Sequence, residues 1–140
     1  MLLLDTNVVS ELRKVKAGKA DKNVARWSKS VEANELFISV ITLQELELGV
    51  LLMERKDKKQ GALLRAWLDD HVIPAFAGRT LSIDATIAKK CAELSVASPR
   101  PYRDSFIAAT ALVHQMTLVT RDVGDFEIMS VMLLNPWNKP

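Results

Sequence analysis

The sequence predicts a three-layer α/β sandwich, a central parallel sheet of about five strands with helices against both faces. Two observations carry this. Five short apolar runs, Met1–Leu4, Leu36–Ile41, Thr80–Ile83, Thr117–Thr120 and Val131–Leu134, mostly carry β-branched residues, and several are continuously apolar rather than alternating. That is the pattern of strands covered on both faces. The segments between them place apolar residues at helical spacing, so strand and helix alternate along the chain.

Taken in order, the first run stops at Asp5, and either Asp5 or Asn7 caps a helix that begins near Val8. The second run feeds a helix over Thr42 to Arg55, with Leu43, Leu46, Val50 and Met53 on one stripe and Leu48, Leu51 and Leu52 widening it. Thr42-Leu43-Gln44-Glu45 fits a capping box, in which Glu45 reaches back to the Thr42 backbone. Gly61 to His71 and Ala85 to Val96 are amphipathic, with Asp84 as a cap, and Ser98-Pro99-Arg100-Pro101 is a loop because its prolines stop helical continuation. Asp104 to Gln115 is alanine-rich, which suits close packing on a sheet. Two basic patches, Arg13 to Lys22 and Arg55 to Lys59, read as solvated helix ends or loops, with contact to a polyanion as the alternative.

Composition excludes several classes of function. A chain of 140 residues suits one domain, 1–140, and with 49% hydrophobic residues and a net charge of +2 it is no disordered tail. Cys91 is the sole cysteine, so there is no disulfide framework. The apolar start ends at Asp5, too short for a signal-peptide core, and no stretch spans a bilayer, so a cytoplasmic protein without membrane contact is expected. There is no Gly-rich phosphate loop, no Cys-x-x-Cys and no His-Glu-x-x-His. His71 and His114 are isolated, Cys91 reads as a small core residue, and Trp27, Trp67 and Trp137 are too scattered to indicate a base-stacking platform.

The acids are more informative. Asp5 directly follows the first strand, Glu45 lies four residues past the second, and Asp122 lies two past the strand Thr117–Thr120, with Asp125 beyond it. Asp104 opens the helix that feeds that strand. Ligand sites of open parallel sheets form outside the carboxyl ends of strands. Each acid also has an ordinary reading: a cap at Asp5, the capping box at Glu45, a helix-dipole partner at Asp104, and a polar turn over Arg121 to Asp125. Together they ask for more. Two carboxylates about 4 Å apart repel by roughly 4 kcal/mol at an effective dielectric near 20. Converging acids therefore take up protons or recruit a cation, and oxygen-only ligands suit Mg²⁺ or Mn²⁺.

Four segments then match a known family in order. Leu2-Leu3-Leu4-Asp5-Thr6-Asn7 resembles the opening motif of PIN domains, Ser39 to Gly49 around Glu45-Leu46 the second, Asp104 to Ala111 the third, and Leu118-Val119-Thr120-Arg121-Asp122 the fourth. The close, Leu134-Asn135-Pro136-Trp137, is similar to that of the FitB-like branch of VapC toxins. The resemblance implies a PIN-like fold and a metal-dependent endoribonuclease, the toxin of a type II toxin–antitoxin pair, in which a metal-activated water attacks a phosphodiester in line. Asp5, Glu45, Asp104 and Asp122 become the acidic site. Asp5 and Asp104 are then the direct ligands of Mg²⁺ or Mn²⁺, while Glu45 and Asp122 bind through water or position the attacking water.

Thr6, Asn7 and Thr120 are expected to orient these carboxylates, Asp125 is the rival or helper of Asp122, and Glu47 the rival of Glu45. Arg103, Arg121 and the Arg55–Lys59 cluster are expected to hold flanking phosphates. The implied partners are a VapB/FitA-like antitoxin, operator DNA through that antitoxin only, the RNA substrate and a second copy in a homodimer. The alternative is a catalytically silent PIN-like corepressor that binds a DNA-binding antitoxin.

Overall fold

Continuously apolar strands need cover on both sides, and the fold supplies it. A computed structural model describes residues 1–99 and 101–139, so Arg100 of the expected proline loop lies outside the described residues. Five strands, β1 (Leu2–Leu4), β2 (Leu36–Ser39), β3 (Thr80–Leu81), β4 (Thr117–Val119) and β5 (Leu133–Leu134), form one sheet in the order β3-β2-β1-β4-β5. Every pairing is parallel, with Leu2 opposite both Leu36 and Thr117, and Val119 opposite Leu134.

Alternation along each strand divides the core in two. Leu4, Ile38 and Val119 face a layer built from α1 (Thr6–Leu12), α3 (Val40–Lys56) and the residues that follow it, where they meet Val8, Leu46, Val50 and Leu68. Leu3 and Leu118 face the opposite layer, against Ile107, Ala108 and Ala111 of α7 (Tyr102–Val113) and Phe126 of α8 (Val123–Phe126). The alanines let α7 lie close to the sheet, while α6 (Ala85–Ala97) packs outside it through Ile87 and Cys91 against Ala109. The three-layer α/β architecture is as the sequence predicts.

Several boundaries differ. The second strand ends at Ser39, not Ile41, because the Ser39 side chain caps α3 by accepting from the Ile41 N–H at 3.0 Å. Thr42 is therefore inside the helix and Glu45 is in its second turn, so the Thr42–Glu45 capping box does not form. The first helix starts at Thr6, with Asp5 as its cap and Asn7 already inside. Asp57 caps α4 (Lys58–Trp67), after which a π turn over Leu68–Val72 carries the chain into a short turn, α5 (Ile73–Ala75). The basic cluster Arg55 to Lys59 is thus the exposed junction of α3 and α4. Asp84 caps α6 as expected, accepting from the Ile87 N–H at 2.8 Å. A helix not anticipated from the sequence, α2 (Lys22–Ser30), follows the first basic patch and buries only Val24.

Candidate acidic active site

The strand order places β1 and β4 side by side although the chain visits β2 and β3 between them. Their carboxyl ends therefore flank the point where the winding direction reverses, the place where open α/β sheets leave a crevice. Asp5 leaves β1 at this point, and Thr120 leaves β4 beside it. Asp5 is 8% exposed, and its two carboxylate oxygens accept from the Thr6 N–H and the Thr120 hydroxyl, both at 2.8 Å. Burial raises its pKa from 3.8 to about 6 against the pull of those two hydrogen bonds, and the charges of Glu45 and Asp104 add to the rise. The charges of Glu45 on α3 and Asp104 on α7 thus both bear on Asp5 at the end of β1.

The supporting hydroxyls are shared. Thr120, fully buried, donates to Asp5 and accepts from the Asp122 N–H at 3.0 Å, so one side chain sets the spacing of two acids. Thr6 donates to Glu45 Oε1 at 2.6 Å, and its oxygen lies 3.2 Å from the buried Thr42 hydroxyl. Asn7 Nδ2 donates to Asp122 Oδ2 at 2.9 Å, while Asn7 Oδ1 accepts from the Arg121 N–H at 3.5 Å. Arg103 reaches Glu45 Oε2 at 3.5 Å from the other side. This pair is more than half exposed at Arg103, and an ion pair so open to water holds loosely.

Residues 2–130 match the model of the PIN domain family. The chain belongs to this family. Among curated relatives it is 37% identical to toxin FitB of Neisseria gonorrhoeae over 143 residues, covering 99% of each chain. It is 39% identical to the plasmid stability protein StbB of Pseudomonas syringae pv. tomato over 142 residues, covering 98% of this chain and 99% of that one. Identity to the VapC ribonuclease Y4jK of Sinorhizobium fredii is 34%, covering 98% of both. The crystal structure of FitAcB from Neisseria gonorrhoeae superposes with a TM-score of 0.89 at 35% identity, covering 99% of each chain. These relatives place the PIN domain on the FitB branch of the VapC toxins.

Within this PIN domain, the charges of Glu45 and Asp104 both bear on Asp5, and Asp122 is tied to the same crevice through Asn7 and Thr120. Asp125 lies in the first turn of α8, its N–H donating to the Asp122 carbonyl at 3.0 Å. Glu47 points elsewhere: Arg65 donates to both of its oxygens, at 2.8 and 2.6 Å, and also pairs with Glu54. That contact holds the Glu47 carboxyl below its usual range and ties α3 to α4. Helical spacing alone does not separate Glu45 from Glu47; the tertiary partners do. Sequence reasoning missed Thr42, which it read as a cap. A threonine three residues before the acid, on the same helix face, was the available signal.

Proposed function

We propose that this PIN domain is the toxin of a type II toxin–antitoxin pair, an endoribonuclease that uses Mg²⁺ or Mn²⁺ at Asp5, Asp104, Glu45 and Asp122. One observation carries the reading: Asp5 is buried at the crevice of the sheet with its pKa raised to about 6 while two further carboxylates add to its negative field. Such a group is poised to gain from a cation. The donors are all oxygen, the chemistry that hard divalent ions prefer. Among the described residues no three His, Cys, Asp or Glu side chains are already gathered around a common point. The fit is therefore one of donor type and of the burial and negative field at Asp5. When bound, such an ion supplies Lewis acidity at a phosphoryl oxygen and lowers the pKa of water.

The chain's own groups do the rest. Thr6 and Thr120 fix the Asp5 carboxylate by two hydrogen bonds, so little reorganisation is needed when charge develops on the phosphate. Glu45, held by Thr6 at one oxygen with the other toward Arg103, takes the role of accepting a proton from attacking water in this reading. Arg103 and Arg121 on the rim hold phosphates on either side of the scissile bond. A VapB/FitA-like antitoxin is the inferred partner, with operator DNA contacted only through it and a homodimer at the centre of the assembly. Exposed Leu48, Leu51, Leu52 and Leu63 on α3 and α4 offer the apolar surface such contacts need. No helix among the described residues is long and apolar enough to cross a membrane.

Attack by water predicts the products. In Mn²⁺, the purified chain is expected to leave linear phosphate ends on RNA. Terminal 2′,3′-cyclic phosphates would show instead that the RNA's own 2′-hydroxyl attacks, and would overturn the proposed role of Glu45. Glu45→Gln is expected to lower the cleavage rate by about 100-fold or more, whereas Glu47→Gln keeps it, since Glu47 serves Arg65. Equal losses in the two variants, measured on the same RNA, would remove Glu45 from the mechanism.

A further inference from the structure

A cleft of about 390 Å³ lies between α2 and the segment that follows β5. We infer that it binds one nucleotide of single-stranded RNA flanking the cut, with the base against Trp27 and the phosphate on Arg26 and Lys139. This rests on the ribonuclease reading and extends it to a second contact. The volume falls within the range of small-ligand pockets, about 300–1,000 Å³. Trp27, Leu134 and Pro136 give it apolar walls, Arg26 and Lys139 are its exposed cations, and neither Asp nor Glu lines it. A nucleobase with its phosphate asks for this combination, an aromatic or apolar face beside positive charge. An acidic partner side chain would find the charge but no use for the apolar walls.

The cleft is preformed and joined to the acids. Asn23 Nδ2 donates to the Trp137 carbonyl at 2.7 Å, and the Trp137 N–H donates to Asn135 Oδ1 at 2.9 Å, so helix and tail are locked together. The wall need not be ordered when a ligand arrives. Asn135 Nδ2 also donates to the Arg121 carbonyl at 3.5 Å, and the Arg121 guanidinium lies 5.3 Å from the Trp137 ring. Arg121 in turn donates its N–H to Asn7, which holds Asp122. One residue, Arg121, therefore stands between the acidic crevice and the cleft, where the backbone of a bound strand crosses from one to the other. Two of the tryptophans that look scattered in the sequence, Trp27 and Trp137, are brought together beside this cleft.

The test measures binding without cleavage. The full chain in EDTA is titrated with a fluorescein-labelled, mixed-sequence RNA of about twelve nucleotides. Arg26→Gln with Lys139→Gln is expected to weaken binding about 10-fold and to reduce the slope of log affinity against log salt by about 0.7 per lost phosphate contact. Trp27→Leu is expected to weaken it about 5-fold or more, with Trp27→Phe restoring most of the loss and so separating stacking from damage to the fold. Lys29→Gln, on the same helix but outside the cleft, is expected to keep the wild-type affinity and slope. Wild-type RNA binding by the double variant overturns the subsite, as does an equal loss at Lys29. Weakened binding of the cognate antitoxin with RNA binding intact overturns it in favour of a protein ligand. Absence of wild-type cleavage in Mn²⁺ is a separate failure, of the ribonuclease reading, because the EDTA titration reads the cleft alone.

Discussion

Asp5→Asn is expected to lower RNA cleavage by about 1,000-fold or more, because an ion-holding carboxylate contributes several kcal/mol to the transition state and each 1.36 kcal/mol is tenfold in rate. The same change is expected not to weaken the metal-free fold at neutral pH. Asp5 has a native pKa of about 6 against 3.8 when unperturbed, raised first by burial. A raised acid holds its proton more tightly in the native state. Its contribution is therefore fully present below about pH 3.8 and is lost as pH rises through about 6. The difference in pKa corresponds to about 3 kcal/mol of native-state cost for the charged carboxylate.

Asparagine removes that cost but replaces one acceptor oxygen by an amide donor, so only part is recovered. The unfolding midpoint of Asp5→Asn relative to the wild type, both in EDTA, should rise between pH 4 and pH 7.5. A difference that is flat or falls over this range would contradict a buried, raised Asp5. Adding Mn²⁺ should reverse the order, because a cation that needs the charged carboxylate stabilises the wild type alone.

The second large effect concerns Thr120. Its hydroxyl is fully buried, donates to Asp5 and accepts from the Asp122 N–H. Thr120→Val keeps the shape and deletes both bonds. Groups that orient ligating carboxylates are commonly worth 10- to 100-fold in metal affinity or activity, and a loss of about that size is expected here. Leaving a buried acceptor unmatched also lowers stability by about 1–3 kcal/mol. The diagnostic is the pH profile: Asp5 loses its leading hydrogen bond, so the acidic limb of cleavage should move to higher pH. Thr120→Ser should restore most of the rate and the profile. A valine variant with reduced rate but an unmoved acidic limb would show that Thr120 serves packing alone.

The strands were legible because burial on both faces leaves a mark in the sequence: Leu2–Leu4, Leu36–Ser39 and Thr117–Val119 are apolar without alternation. Helix α2 was not legible, since it buries only Val24 and Trp27 is its one other large apolar residue. The start of α3 was misread because Ser39 and Thr42 are both good caps. Only the strand's exit, which turns Ser39 toward the Ile41 N–H, decides between them. The acids could be placed at strand ends from spacing. Thr6, Asn7 and Thr120 were expected as their supports from the family motifs, but which acid each one holds was not legible, because Thr6–Glu45 and Asn7–Asp122 join residues 39 and 115 apart in sequence. Helical spacing left Glu45 and Glu47 as rivals; the family motif favours Glu45, and Arg65 claims Glu47.

The central claim, that these acids form one divalent-cation site that cuts RNA, is tested most directly by chelation. RNA cleavage by the purified wild-type chain is followed in Mn²⁺, after EDTA, and after Mn²⁺ is restored, beside Asp5→Asn under the same conditions. The expected result is cleavage that EDTA stops and Mn²⁺ returns, with none by the variant. Cleavage that persists in EDTA, or that Asp5→Asn retains, would contradict it.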